Sequence, residues 1–235
     1  MKRLFAFLLT VTLAISGIAF ADTAKAAPTL VVAKYKVYRN GILVGQNEER
    51  FERKGDRYVI SSDAQALGAI ALFVRDHLRV KSEGRIGAQG LQPDYFESLG
   101  GKASRDTRTR FDWPAQALSA ERNGTTETFA LPVGTQDRLS SMYQFMFVNP
   151  TGKTINTWMT SGKQSSAYVY VRQGEEKIKT GAGEFATIHY VRDAAEGESK
   201  AQFWLAKDQR YLPVRVVFED KSAKFEQLLV QLTVM

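Results

Sequence analysis

The sequence predicts an all-β, mainly antiparallel fold: a curled or half-open β-barrel-like sheet with one inserted amphipathic helix. Three observations carry this. Apolar and polar residues alternate with a period of two over most of the chain beyond residue 30. Asn-Gly dipeptides, which readily take the positive φ angles of tight hairpin turns, separate alternating runs at Asn40-Gly41 and Asn123-Gly124. One stretch, Asp137 to Val148, instead places Leu139, Met142, Tyr143 and Met146 at helical spacing. The chain has no strand–helix–strand rhythm and no long-period repeat, which disfavours a parallel sheet, a propeller and a solenoid.

The chain opens with Met1-Lys2-Arg3, an apolar run from Leu4 to Phe20, and Ala19-Phe20-Ala21. Positive start, apolar stretch and small-residue site are the order of a cleaved secretory signal. The expected signal peptide is residues 1–21, with Ala26 as an alternative end, and the expected mature protein is a single β-rich domain over residues 22–235, placed in the periplasm. No later stretch is long and apolar enough to span a membrane, so no spanning segment is expected after cleavage.

In Ala33 to Arg39, one face carries Ala33, Tyr35 and Val37 and the other carries Lys34 and Lys36. After Asn40-Gly41 the chain runs back through Leu43 to Arg53, then turns at Lys54-Gly55-Asp56 into Tyr58 to Ser61. Leu67 to Val74 is short and apolar, and reads equally as a helical turn, a buried strand or an apolar flap. Later strands are Ala167–Val171, Lys200–Leu205, Tyr211–Phe218 and Leu228–Val234, and Pro213 marks an edge, a strand start or a bulge. About twelve strands are expected by this count of alternating runs. The helical stretch is capped by Thr135 or Asp137 and stopped by Asn149-Pro150.

Composition narrows the chemistry. The 235 residues include no cysteine, which removes disulfides, zinc fingers, iron–sulfur clusters, thiol catalysis and a lipid-modified cysteine. Only His77 and His189 are present, so multi-His metal sites are out of reach, and nothing calls for a metal or a cofactor. The formal net charge of +7 falls to +5 without Lys2 and Arg3, a mild surplus that does not suggest a nucleic-acid partner. Neither G-x-S-x-G nor S-x-x-K occurs, so no catalytic residue is assigned. Paired carboxylates can act at any sequence separation, and Asp112, Asp137 and Asp208 are the candidates, against a plainer reading as two turn residues and a helix cap.

Two groups of residues are candidates for binding. Tyr143, Met146, Trp158, Phe203 and Trp204 would line an apolar cavity, or else serve as ordinary core. Arg108 and Arg110 share a strand face and would grip a phosphate or carboxylate. The rival reading makes Arg105–Trp113 a charged edge strand that resists aggregation. Asn123-Gly124-Thr125 fits a glycosylation sequon but is read here as a hairpin turn.

Several short motifs run in order along the chain: Tyr35 to Gly41 with Gly45, Gly84-Arg85-Ile86, Gly90 to Pro93, Phe111-Asp112-Trp113, Asp137 to Ser140, Trp204 to Asp208, and Leu212-Pro213-Val214. In these the chain resembles the exported bacterial proteins grouped as domain of unknown function family 3108. The resemblance implies export and a β-rich domain, and it implies no activity. The combination of curled sheet and helical plug is LolA-like by loose analogy with the lipoprotein carriers of the LolA/LolB type. The function expected from all this is non-enzymatic binding of an apolar or amphiphilic cell-envelope component. The alternatives are an envelope assembly or structural factor that binds a protein partner, and a carboxylate-dependent hydrolase of envelope glycan or ester.

Overall fold

The protein is seen here in a computed structural model that describes residues 27–68, 71, 77–100, 106–196 and 198–235. The expected signal peptide lies outside the described residues, as does most of Leu67–Val74. Eight strands form the first half of the chain: β1 (Leu30–Arg39), β2 (Ile42–Lys54), β3 (Arg57–Ala66), β4 (Leu78–Gly87), β5 (Gly90–Leu99), β6 (Thr107–Asp112), β7 (Ala117–Arg122) and β8 (Thr125–Ala130). A two-residue strand β9 (Gln136–Asp137), the helix α1 (Ser140–Tyr143) and a 3-10 turn (Gln144–Met146) follow. The second half is β10 (Thr154–Thr160), β11 (Ser166–Thr180), β12 (Gly183–Arg192), β13 (Lys200–Ala206), β14 (Leu212–Glu219) and β15 (Lys224–Val234).

All fifteen strands belong to one sheet, in the order β8 to β1, then β15 down to β9. Neighbours are antiparallel except β9, which lies parallel to β10. The first and last strands pair in the middle of the sheet, with Val31 opposite Val234 and Arg39 opposite Phe225. Thr29 N–H donates to Met235 O at 2.8 Å, and Met235 N–H to Leu30 O at 2.9 Å. The sheet curls without closing, leaving β8 and β9 at its two ends. Fifteen strands replace the expected twelve or so, and β8 and β9 are among those that are too polar or too short to alternate visibly.

Local chemistry explains the turns and irregularities. Asn40 and Gly41 take φ of 50° and 80°, and Asn123 and Gly124 take 51° and 76°, the two-residue turn that matches strand twist. Pro213 faces Leu205 where the β13–β14 register shifts, and Pro93 faces Gly84 where the β4–β5 register shifts. A residue with no N–H to give the ladder is accommodated where the ladder is already broken. The long arginine-bearing strand is corrected in one respect. β6 is no edge: it pairs with β5 on one side and β7 on the other. Its Thr107, Thr109 and Phe111 are buried while Arg108 and Arg110 face out, so threonine served as an inward residue and the strand only looked polar on both faces.

The inward face of β1 to β7 supplies Val31, Phe51, Tyr58, Ile60, Phe96 and Leu118, nearly or fully buried, to a main core completed by residues of β11 to β15 such as Phe185, Val214 and Leu229. The segment after β9 plugs the curl. Tyr143 stacks on Phe51 with ring centroids 5.7 Å apart and 11° between planes. This segment is shorter than the expected Asp137–Val148 helix: four α-helical residues and a 3-10 turn. Asp137 is held in β9, and its Oδ1 accepts from the N–H groups of Leu139 and Ser140, both at 2.8 Å. That is a capping role, so helix winding starts only past it. Thr135, the other expected cap, instead donates its hydroxyl to Pro132 O.

Two buried acids anchor the plug to the sheet. Asp137, fully inaccessible, accepts from Ser82 Oγ of β4 at 2.6 Å. Burial pushes its carboxyl above the usual aspartate range, and the Ser82 and backbone donors pull against that rise. Glu49 of β2 accepts from Tyr143 OH at 3.1 Å and from Asn47 Nδ2 at 2.9 Å, and Asn47 accepts in turn from Ser62 Oγ at 2.8 Å. Burial raises the Glu49 carboxyl from 4.5 to about 7, with the Tyr143 and Asn47 hydrogen bonds opposing.

These anchors predict two outcomes. Asp137→Ala orphans two N–H groups in a dry interior, at about 1–3 kcal/mol each, and leaves the Ser82 hydroxyl only Tyr58, so its urea midpoint falls well below wild type while Asp137→Asn loses less. An unchanged midpoint for the alanine variant refutes the anchor. Glu49 titrates higher folded than unfolded, so the folded state binds the extra proton between pH 4.5 and about 7 and stability falls as pH rises through that window. The loss is about 3 kcal/mol and is absent from Glu49→Gln; parallel pH–stability curves for the two proteins contradict the assignment.

Candidate functional site

The plug's side-chain hydrogen bonds run to one side of the curl, while the backbone of β9 at its start also pairs with β10. Gln136 Nε2 donates to Leu91 O at 2.8 Å, Gln144 Oε1 accepts from Leu91 N–H at 2.6 Å, and Arg138 Nη2 donates to Ser98 Oγ at 2.9 Å. All three partners lie on β5. On the opposite side, past the short β9–β10 ladder, the plug meets β10, β11 and β13 through apolar side chains, with Phe145 packed in a second core cluster beside Tyr170, Ile188 and Phe203. Between plug and strands lies a groove of about 550 Å³. Its apolar lining is Met142, Phe145, Val148, Ile155, Met159, Tyr170 and Phe203.

The polar rim includes Gln136, Gln144, Asn149 and Asn156. The Gln136 carboxamide is oriented by its donation to Leu91, and its buried Oε1 has no hydrogen-bond partner among the described residues. Two further cavities adjoin. One of about 200 Å³ holds Asn47, Glu49, Ser62 and Arg138, and shares Met142 with the groove. The other, about 580 Å³, lies where β7 and β8 face β10 and β11, and shares Met159 with the groove. At that seam Gly162, with φ of 85°, packs on the Thr107 side chain so closely that no β-carbon fits.

The candidate residues disperse. Phe203 lines the groove. Tyr143 and Met146 are buried in the main core, where Tyr143 holds Glu49. Trp204 is 5% exposed and lies between the His189 ring, 4.2 Å away, and the Arg215 guanidinium, 4.4 Å away, donating to Glu176 Oε1 at 2.5 Å. Trp158 is 40% exposed on β10 and outside the groove. Arg108 approaches Glu121 at 3.7 Å and Glu97 at 4.0 Å, and Arg110 lies over the Tyr95 ring at 5.4 Å.

The three aspartates are equally scattered. Asp112 is exposed and accepts from Ala115 N–H in a turn, Asp208 is exposed in the 3-10 turn Lys207–Gln209, and Asp137 is interior. His77 pairs with Asp63 at 3.3 Å, and the second histidine Nε2 lies 3.0 Å from Gln202 Oε1. Among the described residues no three His, Asp or Glu side chains cluster as metal ligands, and no helix is long and apolar enough to cross a membrane. Residues not foreseen include Ile155 and Met159, whose inward alternation on β10 was readable, and Glu49, which is in phase with Phe51 and Asn47 on β2.

No curated protein matches this chain. Among solved structures, the β-barrel-like DUF1849 protein of Brucella abortus is similar at a TM-score of 0.56 and 8% identity, covering 88% of this chain and 98% of that one. This likeness is one of fold. A candidate exported protein of Bacteroides fragilis with a YmcC-like fold aligns at 0.37 and 11% identity, over 88% and 96% of the two chains. The Mycobacterium tuberculosis lipoprotein LppX aligns at 0.29 and 10% identity, over 86% and 85%. At the level of sequence, the profile of the family described as protein of unknown function DUF3108 matches residues 34–229, and the protein is a member of that family.

Proposed function

We propose that this is an exported, periplasmic protein that binds an apolar or amphiphilic component of the cell envelope without altering it chemically. The observation that carries the reading is the groove beside the plug. Its volume of about 550 Å³ lies within the range of small-molecule sites, and it is walled by methionine, aromatic and aliphatic side chains with a few amides at the rim. Methionine walls suit acyl chains of varied length because the thioether side chain is unbranched and adaptable. A non-catalytic role is supported by the engagements of the acids: Asp137 and Glu49 hold the plug, and Asp112 holds a turn. Export is supported by the sequence of residues 1–21.

The test starts from protein purified without detergent. Mass spectrometry of its organic extract is expected to show a copurifying lipid, and delipidated protein is expected to rebind a fluorescent fatty-acyl probe. Met159→Trp, which fills the groove wall, weakens probe binding about tenfold or more, while Trp158→Ala, outside the groove, leaves it unchanged. A clean extract together with no probe binding rejects the reading.

A further inference from the structure

Met142 of the plug lines both the groove and the 200 Å³ cavity. An apolar groove and a polar pocket thus share one unbranched, adaptable side chain. The polar pocket contains Asn47, Glu49, Ser62 and Arg138. Among the described residues, the Arg138 guanidinium donates one hydrogen bond, to Ser98, lies 5.9 Å from the Phe96 ring centroid and has no carboxylate within ion-pair distance. A guanidinium presents five N–H donors in a planar fork that matches carboxylate and phosphate.

The groups around Glu49 that share the pocket offer Arg138 no ion-pair partner. Tyr35 from β1 and Tyr143 from α1 are held neutral, since burial raises both phenols. Ser62 from β3, Gln227 from β15 and Val216 from β14 carry no charge. Glu49 itself is disfavoured as a carboxylate by burial, with its midpoint near 7. Asp137, adjacent in sequence, favours the charged guanidinium through space, while its oxygens are hydrogen-bonded to Ser82, Leu139 and Ser140 and none pairs directly with Arg138.

We propose that the groove and this pocket are two ends of one site for a single-chain amphiphile with an anionic head group, its acyl chain against Phe145 and Ile155 and its carboxylate or phosphate on Arg138. This rests on the groove reading above and adds the chemistry of the head. An anion on Arg138 further disfavours ionised Glu49, so binding takes up a proton and weakens as pH rises.

The test is displacement of the acyl probe by three ligands of equal chain length: dodecanoate, dodecyl phosphate and dodecanol. The two anions are expected to displace the probe about tenfold better than the alcohol, which is one ion-paired head group's contribution. The ratio between the anions tells a carboxylate head from a phosphate head. Arg138→Gln brings both down to the level of the alcohol and leaves the alcohol unchanged, while Arg138→Lys, which keeps the charge and loses the fork, falls between. Dodecanoate binding weakens about tenfold between pH 6 and pH 8 in the native protein and stays flat in Glu49→Gln. Equal displacement by all three ligands, or an anion preference that survives Arg138→Gln, overturns the head-group assignment and leaves the groove reading standing. Failure of all three, the alcohol included, overturns both.

Discussion

Everything in this molecule hangs on the pairing of β1 with β15. Strands β1 to β8 form one meander and β9 to β15 another, and among the described residues the one ladder between them joins residues some two hundred positions apart. Each meander alone would expose an apolar face, because the main core mixes Val31, Phe51 and Phe96 from the first with Trp204, Val214 and Leu229 from the second. Tyr35 reinforces the join by donating its hydroxyl to Pro213 O at 2.9 Å. Such distant pairing costs loop-closure entropy before it returns contacts, so the native sheet forms late and cooperatively.

With the two meanders joined, the plug decides where space is left. Its hydrogen bonds run to Glu49, Ser82, Leu91 and Ser98 of the first meander. Side-chain bonds on one side, and on the other only the two-residue β9–β10 ladder and apolar contact, give an asymmetric filling of the curl. Beyond that short ladder the second side is held by packing, which is less directional than the bonds of the first. The groove opens on that second side, and the same asymmetry puts the buried acids behind the plug and the methionines in front of it.

Much of the sheet was legible in the chain itself. Ala33, Tyr35 and Val37 alternate as they read, and Asn40-Gly41 turns as it reads, because both signals are local. The strand that misled is β6, where Thr107 and Thr109 face the core; threonine satisfies a β backbone and a small buried space without looking apolar. The groove was illegible for a different reason. Met142 and Ile155 become neighbours only through the curl of the whole sheet, and no local pattern encodes that curl. Glu49 shows the same limit: an acid between Asn47 and Phe51 looks like any solvent-facing strand residue until a tyrosine from the plug meets it.

The seam at Gly162 and Thr107 has its own consequence. The two margins of the sheet touch there through a glycine and a threonine side chain whose Oγ1 has no partner among the described residues. A barrel closed by a ladder has its circumference set by strand number and stagger. Here the curl is held across its opening by side-chain contact and by the hydrogen bonds of Gln136, Asp137 and Arg138 to β4 and β5, with no strand-to-strand ladder among the described residues. Its girth is therefore a matter of side-chain size and reach, which single substitutions can alter while every strand pairing stays as it is.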